Sequence, residues 1–296
     1  MKNKLFSTLS LLFFCVAITH IQAQQKRQLA PISGHYKQLA ALSAKPIPDS
    51  TDLYQFPIEG LSAGFMKRMV VKPNYLLLPM SAFRLPEFPA NSSAQTKAEI
   101  DYLLKLQETA RTPEKLKESL DFAGVYYSPS ATPDSPNWKK LRQNLFHMGR
   151  QLGSWFSPDS LPVTANFMAK LWTDGSYYFW SLKFKYNRTR PYMLDKRIKH
   201  LDDTNFQAYP SGHSSASWVA AFVYDEILPE HKTLFEKNAY DMAFSREILG
   251  VHFSSDSEAG RIFARQLVDQ LLGNEEFKRD LANAKAEVLR VQKLNQ

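Results

Sequence analysis

Cysteine is nearly missing from this chain: Cys15 is the one cysteine in 296 residues. It lies inside an N-terminal leader, so the chain after the leader has no disulfide, thiol nucleophile or cysteine metal ligand. Stability must then come from packing. Glycine is also scarce, at 11 residues, and no stretch alternates apolar and polar residues in the manner of a strand. Beyond the leader no run approaches the 18 or so consecutive apolar residues that span a bilayer, so no integral membrane segment is expected. No HExxH spacing occurs and carboxylates near the histidines are few, which argues against a metal centre. No internal repeat or low-complexity block is visible.

What is present is a chain rich enough to fold. Hydrophobic residues make up 44% and aromatics 13%, which excludes global disorder. The formal net charge is +8; removing Lys2 and Lys4 with a leader that holds no acid leaves +6. Such a balance suits anionic ligands, nucleic acid among them. Lysines nevertheless alternate with glutamates in "TPEKLKESL" and "EEFKRDLANAKAEVLR", the pattern of a solvated helical surface.

The leader, "MKNKLFSTLSLLFFCVAITHIQAQQ", has two lysines, an apolar run interrupted by Ser7, Thr8, Ser10, Thr19 and His20, and the small residue Ala23 before Gln24. These features describe a cleavable secretory signal over residues 1–23, with a membrane anchor or a lipoprotein signal ending at Cys15 as the alternatives, and imply a periplasmic or secreted protein. Residues 24–92 are rich in proline, serine and isolated apolar residues and read as an irregular arm. From Ser93 to the end at 296, helical periodicity takes over. "SAQTKAEIDYLLKLQETA" has a serine N-cap and a leucine-rich face. Trp138, Leu141, Leu145, Met148, Leu152 and Trp155 recur at steps of three and four, predicting an amphipathic helix over 136–156. "SSASWVAAFVYDEIL" is apolar on nearly every side and reads as a central buried helix, ended by Pro229. The tail from Glu275 places Phe277, Leu281, Ala284, Val288 and Val291 on one stripe. The expected fold is all-α: one helical domain behind a leader and an arm.

Three stretches could carry chemistry, and each has a plain structural explanation too. "KFKYNRTRP", Lys183 to Pro191, puts four cations beside the apolar segment "SYYFWSL"; alone it is equally a solvated basic face or a nucleic-acid patch. "YPSGHSS", Tyr209 to Ser215, places Ser211, Gly212 and His213 at the start of the buried helix. Free N–H groups and a partial positive charge there make an anion site, although a serine cap with a surface histidine gives the same letters. In "SREILGVHFSSD", Gly250 stops a helix, His252 sits in the turn, and Asp256 lies one turn into the next helix. An i,i+4 carboxylate can reach back to one imidazole nitrogen and leave the other with its lone pair outward. Arg246 would be a positioned cation, and a helix-surface ion pair is the plain alternative.

Taken together, Lys183, Arg190, Arg246, a helix N-terminus and two histidines suit a tetrahedral oxyanion whose charge grows in the transition state. Two histidines supply a nucleophile and a proton donor, which points to phosphoryl transfer through a phosphohistidine. A non-catalytic anion or nucleic-acid binder would need no histidine–aspartate pair.

These residues resemble a known signature: Lys183, six residues, Arg190-Pro191; Pro210-Ser211-Gly212-His213; Ser245-Arg246, five residues, His252, three residues, Asp256. The chain is similar to the type-2 phosphatidic acid phosphatase superfamily, which includes the vanadium haloperoxidases, over roughly residues 93–292. Within it, "RTRPY", "YPSGHSSASW" and "FKRDLANAKAEV" are most similar to the class A bacterial non-specific acid phosphatases. The resemblance implies an all-α fold and metal-independent hydrolysis of small-molecule phosphate monoesters without a cofactor. It implies that His252 is the nucleophile, Asp256 its orienting group and His213 the general acid. Lys183, Arg190, Ser211, Gly212 and Arg246 would bind the phosphoryl oxygens. Nucleic acid is not the expected partner, and a homo-oligomer is compatible with the sequence. A vanadate-dependent haloperoxidase and a periplasmic lipid or pyrophosphate phosphatase are the alternatives. Disulfides known in some class members are impossible here. Tyr192, Phe206 and Trp172 are candidate contacts for a nucleoside or aryl group.

Overall fold

In the computed structural model, residues 33–61, 66 and 71–295 are described; the leader read at 1–23 lies outside them. Helices dominate, and among the described residues no β-strand forms, only an isolated bridge between Gln55 and Arg188. In chain order the helices are α1 (Gly34–Leu39), α2 (Ala94–Thr109), α3 (Pro113–Ala123), α4 (Trp138–Asn144) and α5 (Pro162–Tyr186). They are followed by α6 (Pro191–Leu194), α7 (Gly212–Ile227), α8 (Lys232–Ile248), α9 (Ser254–Leu271) and α10 (Glu275–Leu294).

Local chemistry sets most of these boundaries. Ser93, Thr112 and Asn274 each accept a backbone N–H from the first turn of α2, α3 and α10, satisfying donors that a helix cannot satisfy internally. Helix α5 has no such cap of its own. Glu287 of α10 supplies one, accepting the N–H groups of Val163 at 3.0 Å and Thr164 at 2.7 Å. A carboxylate there also complements the positive end of the helix dipole.

Helix α7 is the centre. Residues such as Trp218, Val219, Phe222, Val223 and Tyr224 are buried on several of its sides, as expected for a segment without a polar face. Helices α8 and α9 pack most extensively against it, with α5 on a further side. The α7–α9 crossing is very close: a methyl group added at Gly260 would lie 2.8 Å from Ser214 Cβ, Oγ and the Ser215 nitrogen. Helix α9 therefore brings its N-terminal residues directly against the N-terminus of α7.

The expected helix over 136–156 is shorter in the structure. Regular helix stops at Asn144, a 3-10 turn covers His147–Gly149, and Gly153 takes a φ of +103°. Leu141, Leu145 and Met148 are buried and Trp138, Leu152 and Trp155 half-buried, but the chain folds back at the two glycines. A Cβ at Gly149 would stand 2.2 Å from the Phe156 ring, so Phe156 packs on Gly149. A continuous helix would separate those two residues by about 10 Å along its axis.

His147, in that turn, meets the Phe122 ring edge-on at 5.2 Å. Burial, and then Arg150, lower its pKa from 6.5 to about 4. An unfolded chain binds this proton near pH 6.5 while the folded one resists, so the contribution to stability is complete above 6.5 and is lost as pH falls toward 4. That difference corresponds to on the order of 3 kcal/mol. His147→Phe should therefore lose less melting temperature than the unmodified protein between neutral pH and about pH 4.5. Parallel Tm–pH curves for the two would refute this.

Segments before α2 are tied to the helices by hydrogen bonds. Ala90 and Gln95 donate to the carbonyls of Ala44 and Ser43 at 3.0 Å each, and Asp52 accepts from the Ser92 backbone and hydroxyl. Phe56 N–H donates to the Asn187 carbonyl at 3.2 Å. Buried Asp174 of α5 accepts the backbone N–H groups of Asn74 and Tyr75. The Phe56–Asn187 contact anchors the loop after α5, which carries Arg188 and Arg190.

Candidate active site

Helix α5 ends at Tyr186, and Asn187 takes the left-handed conformation with φ 47°. That reversal turns the basic stretch inward. Lys183, Arg188 and Arg190 are all buried, while Lys185 remains exposed. Lys183 Nζ donates to the carbonyls of Gln207 at 2.8 Å and Ala208 at 3.0 Å. Arg190 is held by three carbonyls: Phe206 at 2.8 Å, Val251 at 2.7 Å and Gln207 at 3.1 Å. Burial pulls the Lys183 amine well below its ordinary pKa, with the positive charge of Arg190 adding to the effect. Burial also lowers Arg190 to about 10.

The third cation arrives from the end of α8. Arg246 is buried and pairs through Nη2 with Asp202, while its Nε and Nη1 have no hydrogen-bond partner in the protein. Two buried donors of a guanidinium left over in this way are costly unless a ligand accepts from them. Directly after Arg246 the helix closes with a Schellman motif: Gly250 N–H bonds the Glu247 carbonyl at 2.9 Å and Val251 N–H bonds the Arg246 carbonyl at 3.1 Å. Gly250 has a φ of +72°, and a side chain there would meet Ile198 at 2.9 Å. Glycine is required by both the backbone and the space. The motif ends the helix sharply and delivers Val251 and His252 against the Arg190 guanidinium.

His252 and Asp256 form the pair expected from their spacing. His252 Nδ1 lies 3.0 Å from Asp256 Oδ2, and both side chains are buried. Asp256 is the third residue of α9 and the same oxygen accepts the Phe253 N–H at 3.0 Å, so the aspartate is fixed by helix capping as well as by the imidazole. On the other side of the ring, Nε2 faces Arg190 Nη1 at 2.9 Å. A guanidinium has donors only. Nε2 must therefore be the unprotonated nitrogen and Nδ1 the N–H that bonds Asp256. Burial, followed by Arg190, Lys183 and Arg246, pushes the imidazole well below its usual range, so the neutral ring is strongly favoured.

Ser211 caps α7, its Oγ accepting the Ser214 N–H at 3.4 Å, and its own N–H bonds the Asp256 carbonyl at 2.9 Å. The cap role leaves the Ser211 hydroxyl proton available to an anion. Gly212 opens the helix, but a Cβ there would meet only ordinary contacts, 3.4 Å from Phe179 and 3.6 Å from Lys183. Nothing in the protein itself demands glycine at 212.

His213 follows on the first turn of α7, with Nε2 3.2 Å from the Ala123 carbonyl. A carbonyl only accepts, so this nitrogen carries a proton. These surroundings do not favour a second proton on the resting ring. Burial and then Arg246 push it well below the usual imidazole range, because three cations surround it. One wall of an apolar hollow lined by Leu145, Met148, Leu171, Trp172 and Phe179 also touches His213.

Thus the residues expected from the sequence converge on one spot: Lys183, Arg190, Arg246, Ser211, Gly212, His213, His252 and Asp256. Of the aromatic candidates, Phe206 lies 4.9 Å from the Arg190 guanidinium, and Tyr192 stacks on His200 and bonds Thr204. Trp172 is the one in the hollow beside His213. Sequence reasoning missed Arg188, Glu99, Ser255 and Asp202. The Glu99 signal was present: with Leu103 and Leu106 it shares the buried stripe of α2, an unusual place for a carboxylate. Among the described residues no group of three histidine, cysteine or acidic side chains is arranged to hold a metal ion, and no helix is long and apolar enough to cross a membrane.

Residues 168–268 match the family described as the PAP2 superfamily, an interval that contains all eight converging residues. Among curated proteins, the chain is 37% identical over 118 residues to a non-specific acid phosphatase of Providencia stuartii, covering 38% of this chain and 48% of that protein. It is 29% identical over 178 residues to a non-specific acid phosphatase of Salmonella typhimurium, covering 55% and 71%. The match thus spans about half the length of the first of these relatives. Among solved structures, a bacterial vanadium-dependent iodoperoxidase aligns with a TM-score of 0.46 at 17% identity, covering 81% of this chain and 60% of that one.

Proposed function

The chain carries a PAP2 superfamily domain over residues 168–268, and from that premise we propose that it is an acid phosphatase that hydrolyses small-molecule phosphate monoesters through a phosphohistidine. The observation that carries the mechanism is the fixed tautomer of His252, with Asp256 on Nδ1 and a lone pair at Nε2. The names of the similar proteins support the choice of reaction. The secretory leader read at 1–23 puts the enzyme in the periplasm or the medium.

In this mechanism Lys183, Arg190, Arg246, the Ser211 hydroxyl and the Gly212 N–H hold the non-bridging phosphoryl oxygens. His252 Nε2 attacks phosphorus; the P–N bond forms as the P–O bond to the alcohol breaks. His213 gives its proton to the departing oxygen. Water then attacks the phosphohistidine with His213 taking a proton, the P–N bond breaks, and phosphate leaves. The cations that depress both histidines also bind the substrate dianion, whose charge offsets theirs. Binding therefore raises the proton affinity of His213 just when a general acid is needed.

Neutral His252 and a doubly protonated His213 are needed together in the substrate complex, so rate against pH should be bell-shaped with an acid optimum. A panel of aryl, sugar and nucleoside monophosphates at about pH 5 and pH 7, with EDTA present, checks the reading. Hydrolysis that persists in EDTA and is blocked by vanadate is the expected result. A rate that needs added divalent metal, or still climbs above about pH 8, would overturn it. Halide oxidation in the presence of vanadate without phosphatase activity would assign a haloperoxidase instead.

A further inference from the structure

Behind the His252–Asp256 pair lies a third charge that the mechanism above does not use. Arg188 is buried, and its Nη1 donates to Asp256 Oδ1 at 2.6 Å and to Ser255 Oγ at 2.7 Å. Its Nη2 faces Glu99 Oε2 at 3.5 Å. The guanidinium lies 4.0 Å from the centre of the Phe253 ring and 5.2 Å from that of Phe88. Glu99, fully buried on α2, accepts Ser255 N–H at 2.9 Å and the Ser255 hydroxyl at 2.9 Å. Ser255 thus passes its proton donor to Glu99 and its lone pair to Arg188. The backbone is clamped as firmly: the Arg188 carbonyl accepts Ala208 N–H at 2.9 Å, and residue 188 forms the bridge with Gln55.

Burying three ionisable groups costs several kcal/mol each before pairing, and apolar residues of similar size often serve stability as well or better. A purely structural role therefore explains the arrangement poorly. Its geometry is specific to Asp256. The aspartate has two oxygens; Oδ2 serves His252 and the Phe253 N–H, while Oδ1 serves Arg188. Holding Oδ1 stops the carboxylate from rotating away from the imidazole. Glu99 shares the same guanidinium, which moderates its pull on Asp256.

We propose that Arg188, itself held by Glu99 and Ser255, is a positioning residue that fixes the plane of the Asp256 carboxylate and through it the orientation and tautomer of His252. This rests on the phosphohistidine reading for its catalytic consequence, although the effect on the imidazole does not. The charged and titratable groups around the cluster are Glu99 from α2, Tyr36 from α1, and Asp256 and Glu258 from α9. Burial raises Glu99 to about 7, opposed by Arg188, so the cluster can change charge near neutrality.

The full-length protein with Arg188→Met, Arg188→Lys or Glu99→Gln tests the proposal. Arg188→Met should lower kcat roughly 10- to 100-fold, the scale of a small misplacement of reacting groups, while inhibition by inorganic phosphate stays unchanged. Arg188→Lys should recover part of the loss, since it keeps the charge but not the two-pronged geometry. In nitrogen-15 spectra without substrate, Arg188→Met should weaken or abolish the His252 Nδ1–H···Asp256 signal. Unchanged kcat and an unchanged His252 signal would overturn the proposal, as would a fall in phosphate affinity equal to the fall in kcat. Should Arg188→Met not fold, the near-isosteric Glu99→Gln decides when read on the alkaline side of the Glu99 titration at about 7, where the native carboxylate is charged. A lower kcat with a weakened His252 Nδ1–H signal then supports the proposal, and kcat and signal both unchanged refute it. If His252→Ala keeps activity, the phosphohistidine reading falls, and the substrate-free spectra still decide the positioning claim.

Discussion

His252→Ala is expected to lower kcat by about 10^4-fold or more, the scale seen when a nucleophile is removed from a site whose members act as one unit. It should also abolish labelled phosphoenzyme. The reason is the lone pair at Nε2, the nitrogen left unprotonated between Asp256 and Arg190. The cations Lys183, Arg190 and Arg246 are held by backbone carbonyls and Asp202 rather than by the imidazole alone. The variant should therefore still bind inorganic phosphate and vanadate, so that loss of chemistry is separated from loss of binding. Rapid quenching after mixing with a phosphorus-labelled aryl phosphate gives the readout. Label retained on His252→Ala protein would place the nucleophile elsewhere.

Asp256→Asn should come close to that effect, with kcat reduced on the order of 10^3- to 10^4-fold, because it reverses the tautomer. The amide oxygen of an asparagine would be drawn to Arg188, which only donates and sits 2.6 Å from Oδ1. The NH2 group would then face His252 Nδ1, and two donors cannot share that position. The imidazole proton is driven toward Nε2, where it opposes the Arg190 donor 2.9 Å away, and either the attacking lone pair is lost or the ring is displaced. Phosphate should bind almost as before, since Asp256 does not face the phosphoryl oxygens in the proposed mechanism. Nitrogen-15 chemical shifts of His252 distinguish the two tautomers directly. An Asp256→Asn protein that turns over normally would reduce the aspartate to a cap for α9.

How much of this was visible beforehand depends on the range of each interaction. Helix α2 begins one residue after Ser93, as its cap predicts, and α7 is buried as its all-round apolarity predicts. The His252–Asp256 contact spans four residues, so one turn of helix after Gly250 suffices to form it. The helix expected over 136–156 ends at Asn144 instead, because the packing of Phe156 on Gly149 is worth more than continued helical pairing. A periodic pattern describes which residues are buried without saying that the chain between them stays regular.

The spacing of Lys183, Arg190, Ser211, Gly212, His213, Arg246, His252 and Asp256 was determined by sequence alone, as were the helical class and the helix break at Gly250. These depend on residue type, local capping and one positive φ, all set within a few neighbours. Tertiary structure alone decided the charge state and aim of the histidines. Burial and the converging cations make His213 neutral at rest, and neither field nor burial is written in a local stretch. The support behind Asp256 is likewise tertiary, joining Arg188 to Glu99 across 89 residues and to Ser255 across 67. Long-range electrostatics adds over distance in space, and only folding fixes which charges are near.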